Sequence, residues 1–165
     1  MILRAYAGLD PTSVFCLLQS LVNRVFGNPN LAVGTTTTRI QVTNQVDFAI
    51  ANQVYRKAAE DNISVTGLTN TTATQFRKAR VEINTAGTVS FKEGPAATAQ
   101  VNAIMPRRTA SRATLGWLQV PNSFTYGTTA FTAGMFFNGD PDLSDLGSAL
   151  PNNDRGIEQA VVNSP

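Results

Sequence analysis

The chain predicts a mainly β fold: a compact β-sandwich or jelly-roll-like body with one N-terminal helix and extended terminal arms. Three observations carry this expectation. Short segments alternate apolar and polar side chains with the period of two that a half-buried strand requires. Gly and Pro punctuate the sequence, 12 and 8 of them in 165 residues, and separate those segments as turns do. Charged residues make up only 15% against 42% hydrophobic, where soluble domains usually carry roughly 25% charge. The remaining surface must be covered by Thr, Asn, Gln and Ser, or by neighbouring subunits. Abundant Thr and Asn favour pleated and turning backbone over helix.

A chain of 165 residues is long enough for one core and short for two. It divides into an N-terminal arm over 1–34, a β-body over 35–139 and a C-terminal arm over 140–165. Asp10-Pro11 predicts the start of a helix near 11–26, because Asp accepts from free first-turn amides and Pro has no N–H to waste there. Val14, Leu18, Leu21, Val22 and Val25 fall on one stripe, Gly27 suits the residue after a helix end, and Asn28-Pro29 stops continuation. Thr35–Thr38 is β-favouring, and Arg39-Ile40-Gln41-Val42 alternates. Val46, Phe48 and Ile50 alternate against Asp47 and Ala49, and Ala51-Asn52 can turn the chain back into Val54-Tyr55-Arg56. Ala79, Val81 and Ile83 face one way and Lys78, Arg80 and Glu82 the other, with Gly87 in the turn before Val89 and Phe91. Arg107-Arg108-Thr109-Ala110-Ser111-Arg112 reads as an exposed connection. Thr114–Val120 is a strand holding Gly116 and Trp117, and Met135-Phe136-Phe137 is a last short strand before Asn138-Gly139. Trp117 is expected to be buried among Val81, Ile83, Val89 and Phe91. Beyond Asp140 the pattern weakens, apart from one or two helical turns near Ile157–Val162.

Four segments stand in a telling order: VDFAIANQVYRKAAEDN (46–62), RKARVEINTAGTVSFKEG (77–94), IMPRRTASRATLGWLQV (104–120) and PNSFTYGTTAF (121–131). A hairpin lies near the phrase VYRKAAEDN, a second hairpin turns at one Gly and is followed by another, and Gly94-Pro95-Ala96-Ala97 links onward. A strand with Leu115-Gly116 and Val120, then Phe124 with Gly127-Thr128-Thr129, closes the series. In order and spacing this resembles a module of tailed-bacteriophage virion structural proteins. The resemblance covers roughly half the chain and contains no invariant chemical motif.

Catalytic chemistry finds little footing. The chain has no His, which removes the commonest general base and transition-metal ligand. Only Lys57, Lys78 and Lys92 are available for serine–lysine chemistry, and none sits in a recognisable pairing. Gly-rich phosphate loops are absent. Asp140, Asp142 and Asp145 could offer oxygens to a hard cation, but they lack a calcium-loop spacing and read as turn and helix-start residues. Glu60, Asp61, Glu82 and Glu93 read as exposed strand-face charges, with no pair selected for glycoside cleavage. Cys16 reads as a small apolar residue, since one Cys builds no intrachain disulfide. No cofactor and no metal are expected.

Thirteen basic against eleven acidic residues leave a net charge of +2, scattered rather than gathered into the basic stripe of a nucleic-acid binder. No run approaches the roughly twenty apolar residues of a membrane span, and Met1-Ile2-Leu3-Arg4 does not open a secretory signal. Nucleic acid and membrane are therefore not expected partners, and assembly in the host cytoplasm is. The resemblance implies a non-enzymatic capsid decoration, or cement, protein on the exterior of the virion head. It would bind the major capsid protein and associate as a homotrimer. Arg107, Arg108 and Arg112 are the candidate capsid-docking residues, since arginine pairs bidentately with carboxylates. The alternative is a head-fibre or tail-associated receptor- or carbohydrate-binding protein with an aromatic platform drawn from Trp117, Tyr126 or Tyr55.

Overall fold

The computed structural model describes residues 23–51 and 53–141. The fold is mainly β, with three antiparallel sheets. The strands are β1 (Arg24–Phe26), β2 (Leu31–Val33), β3 (Ile40–Val42), β4 (Val46–Ile50), β5 (Gln53–Lys57), β6 (Glu60–Ile63), β7 (Arg77–Ile83), β8 (Val89–Glu93), β9 (Ala113–Val120) and β10 (Phe136–Asn138). They form sheets ordered β1-β4-β5, β2-β3-β6 and β10-β9-β7-β8.

The helix expected near 11–26 is not seen. Residues 11–22, with Cys16 and most of the apolar stripe, lie outside the described residues, and its last turn is instead β1. Val25 lies opposite Phe48 in that strand, a pairing that suits a β-branched side chain. Gly27 does adopt a positive φ of 88°, but it ends a strand. Residues 24–33, assigned to the N-terminal arm, thus contribute two strands that pair with β4 and β3. Thr35–Thr38 forms the β2–β3 turn. Asp61 accepts from the Thr35 backbone N–H at 3.0 Å and Asn62 Oδ1 accepts from Thr36 N–H at 2.7 Å, so side chains satisfy amides that a strand would have paired.

Both expected hairpins form. Ile50 pairs with Gln53 across the β4–β5 turn, and Ala51 takes a φ of 50°, as a tight hairpin turn demands. Ile83 pairs with Val89 across the β7–β8 turn, where Asn84 Oδ1 accepts from Ala86 and Thr88 N–H and Gly87 has a φ of 77°.

One apolar core joins all three sheets. It holds Leu31, Ile40 and Val42, then Val46, Phe48 and Ile50 of β4, Ala79, Val81 and Ile83 of β7, and Leu115, Leu118 and Val120 of β9. Each Val, Leu, Ile or Phe among them contributes about 1.5–3 kcal/mol on burial.

Strand β9 carries a bulge. Val81 lies opposite Gly116, but Glu82 lies opposite Thr114, so Leu115 is the extra residue. The extra residue reverses which side chains face inward on either side of it. Trp117 therefore lies opposite Arg80, on the sheet face away from Val81 and Ile83, and not among them as expected. It is half-buried and stacks on Phe137 with ring centroids 3.9 Å apart. Gly116 serves a different neighbour from the one expected: a Cβ there would lie 2.3 Å from the Phe137 carbonyl oxygen and 2.7 Å from a Leu31 methyl.

Candidate functional site

The polar face of the β10-β9-β7-β8 sheet is covered, not solvated. Arg80 and Glu82 are each only 1% exposed, against the expectation that the alternating charges of β7 face water. Residues 94–112 cross over this face. Gly94 permits the crossing, because a Cβ there would sit 2.1 Å from the Ile104 carbonyl oxygen. Ala103 and Pro106 are buried, and the Pro106 carbonyl accepts from Arg80 Nε at 3.1 Å. Glu82 accepts from the Thr109 backbone N–H at 2.7 Å. Arg80 Nη1 also donates to Thr114 Oγ1 at 3.2 Å and pairs with Asp140 Oδ1 at 2.9 Å. A buried charge is tolerated only with such a full set of partners.

Of the three arginines expected to dock onto a capsid, only Arg107 is exposed. Arg108 turns inward: its Nη1 donates to the Asn23 carbonyl at 2.8 Å and its Nη2 lies 3.2 Å from Asp140 Oδ2. Arg112 donates to Ser90 Oγ. The three do not converge on one outward patch, because Arg108 and Arg112 turn to partners within the chain, Asn23 and Asp140 for the first and Ser90 for the second. Asn23 and Asp140 meet at the Arg108 guanidinium. No sequence signal marks this meeting, since Asn23 and Arg108 are 85 positions apart.

Asp140 belongs to this internal network; Asp142 and Asp145 lie outside the described residues. Among the described residues no group of three or more acidic, Cys or His side chains could hold a metal ion. The six described carboxylates all have intrachain donors. Asp47 pairs with Arg56 at 2.7 Å, Glu60 with Lys57, and Asp61 with Thr35. Glu93 accepts from Thr69 Oγ1 at 2.7 Å, while Glu82 and Asp140 are held as above. The hydrogen bonds from Arg56 and from Thr35 hold the Asp47 and Asp61 carboxyls below their usual range.

The aromatic platform does not assemble from the three named rings. Tyr55 packs on Phe48, Trp117 on Phe137 beneath the Lys78 ammonium, and Tyr126 edge-on against Phe124. Tyr126 is largely buried, and burial, with the nearby Glu93 carboxylate, pushes its phenol pKa up.

The covering segment has an outer side that residue-by-residue reading missed. Its Gln100–Asn102 turn leads into extended backbone, with Ala103 at φ −66° and ψ 122°. Val101 is 86% and Ile104 64% exposed, and Arg107 is exposed as well. Apolar patterning gave no signal for this outer side, because Val101 and Ile104, the larger apolar side chains, lie outward while Ala103 and Pro106 lie inward. No protein-family model, no curated protein and no solved structure matches this chain.

Proposed function

We propose that this chain is a bacteriophage capsid decoration, or cement, protein: a non-enzymatic homotrimer on the exterior of the virion head that binds the major capsid protein and stabilises neighbouring subunits. The observation that carries the proposal is the covering segment, residues 94–112, which is fastened to the β-body through Arg80 and Glu82 and turns Val101, Ile104 and Arg107 outward. The order of segments between residues 46 and 131 supports the same reading through its resemblance to phage virion proteins. A single core shared by the four-stranded sheet and the two three-stranded sheets supports a sandwich-like body. The carbohydrate-binding alternative draws no support from Trp117, Tyr55 and Tyr126, which pack in separate clusters.

Virion preparations examined by gel and electron microscopy test the proposal. Capsid-scale copy number with density outside the head is expected. A few copies per particle, or density confined to the tail, contradicts it.

A further inference from the structure

We propose that residues 98–111 form a strap that opens as one unit while the three sheets stay folded, with the charges of Arg80, Glu82, Arg108 and Asp140 as its latch. Among the described residues, no backbone–backbone hydrogen bond joins 98–111 to a strand. Pairing stops at the Phe76–Ala97 bridge and resumes at Ala113, where β9 begins. The backbone bonds inside the strap are local: Asn102 N–H donates to the Ala99 carbonyl at 3.1 Å and Ala103 N–H to the Gln100 carbonyl at 3.2 Å. Only Ala103 and Pro106 are buried in this stretch, both small, while Val101 and Ile104 are exposed. Segments with so few buried apolar contacts are the ones that open at a free energy below that of global unfolding.

What holds the strap down is polar. The Pro106 carbonyl accepts from Arg80 Nε at 3.1 Å, and the Thr109 N–H donates to Glu82 at 2.7 Å. Arg108 ties the strap to the Asn23 carbonyl at 2.8 Å and to Asp140 at 3.2 Å. Such charge-assisted bonds are strong. Opening, however, returns Arg80 and Glu82, each 1% exposed, to water, and the hydration regained offsets much of what the bonds supplied. Ser111, at the end of the strap, has a φ of 58°, which a residue other than Gly rarely adopts, so opening also relieves strain. Breaking the sheets instead exposes Phe48, Val81, Leu118 and the rest of the core, with no such compensation. Opening uncovers the charged face of β7, and it does not depend on what the chain assembles with.

Native-state hydrogen exchange of the full chain in rising, sub-denaturing urea tests the strap. The Ala103 and Thr109 amides should be protected and should share one opening that depends weakly on urea, because little apolar surface is exposed by it. Amides paired in β7 and β9 should follow the steep dependence of global unfolding. Arg108→Met keeps an apolar stem but removes the bonds to Asn23 and Asp140. It should speed exchange at Ala103 and Thr109 at least about tenfold and leave β7 and β9 unchanged. One urea dependence common to strap and sheets, or strap amides with no protection, overturns the proposal. Different urea dependences for Ala103 and Thr109 overturn the single unit. Equal acceleration of β7 and β9 by Arg108→Met shows that the strap does not open separately, and no acceleration at Thr109 overturns the latch.

Discussion

Arg80 is the residue on which the covered face turns. Its guanidinium is buried among the Pro106 carbonyl, Thr114 Oγ1 and Asp140. Arg80→Met should therefore cost about 3–5 kcal/mol, mostly from polar partners left behind in the interior. Arg80→Met with Asp140→Leu should recover much of that loss, since a buried pair replaced by apolar groups of similar size is often neutral. Urea unfolding of both variants checks this, and a single-variant cost under about 1 kcal/mol would mean that water reaches the site. Asp61 supplies a test in acid. Its folded pKa is held below the ordinary 3.8 by hydrogen bonds from Thr35, so its stabilising contribution is complete above that value. The contribution is lost as pH falls through the lower folded pKa. NMR titration of the Asp61 carboxyl should give a midpoint below 3.8, and Thr35→Val should move it upward.

Strand β10 depends on the absence of a side chain at position 116 in β9. Gly116→Ala would drive a Cβ against the Phe137 carbonyl and Leu31, with an overpacking cost of about 1–3 kcal/mol. Hydrogen exchange should quicken first in β10, and an unaltered pattern would show that Leu31 and β10 yield without loss. The same strand shows what sequence could and could not reveal. The β7–β8 hairpin was legible because alternation and the Gly87 turn are local signals. The inward side chains of β9 were not, because the bulge at Leu115 reverses them and Gly116 pairs with Val81. Alternation in β7 correctly separated Arg80 and Glu82 from Val81 and Ile83. It could not tell that residues 94–112 return to cover the charged face. Arg108 looked like a docking residue for the same reason: its partners Asn23 and Asp140 are distant in sequence. The final turn of the expected helix had helical spacing, yet Val25 found a strand partner in Phe48.

At the scale of the whole molecule, the β1-β4-β5 sheet ends on β5, where Val54 is 69% exposed. Natural edge strands are commonly guarded by charge, and β5 carries exposed Arg56 beside Val54, so the proposed trimer would have to bury Val54 while leaving Arg56 at its rim. Sedimentation over a wide concentration range should find a trimer, and Val54→Lys should shift it toward monomer; a stable dimer would contradict threefold assembly. The cement role makes the most direct demand. Heads lacking the protein should be saturated with purified protein and heated while DNA release is followed. Saturated heads should release their DNA at a higher temperature than bare heads. Release at the same temperature from bare and fully saturated heads, or no saturation at all, would contradict the cement role.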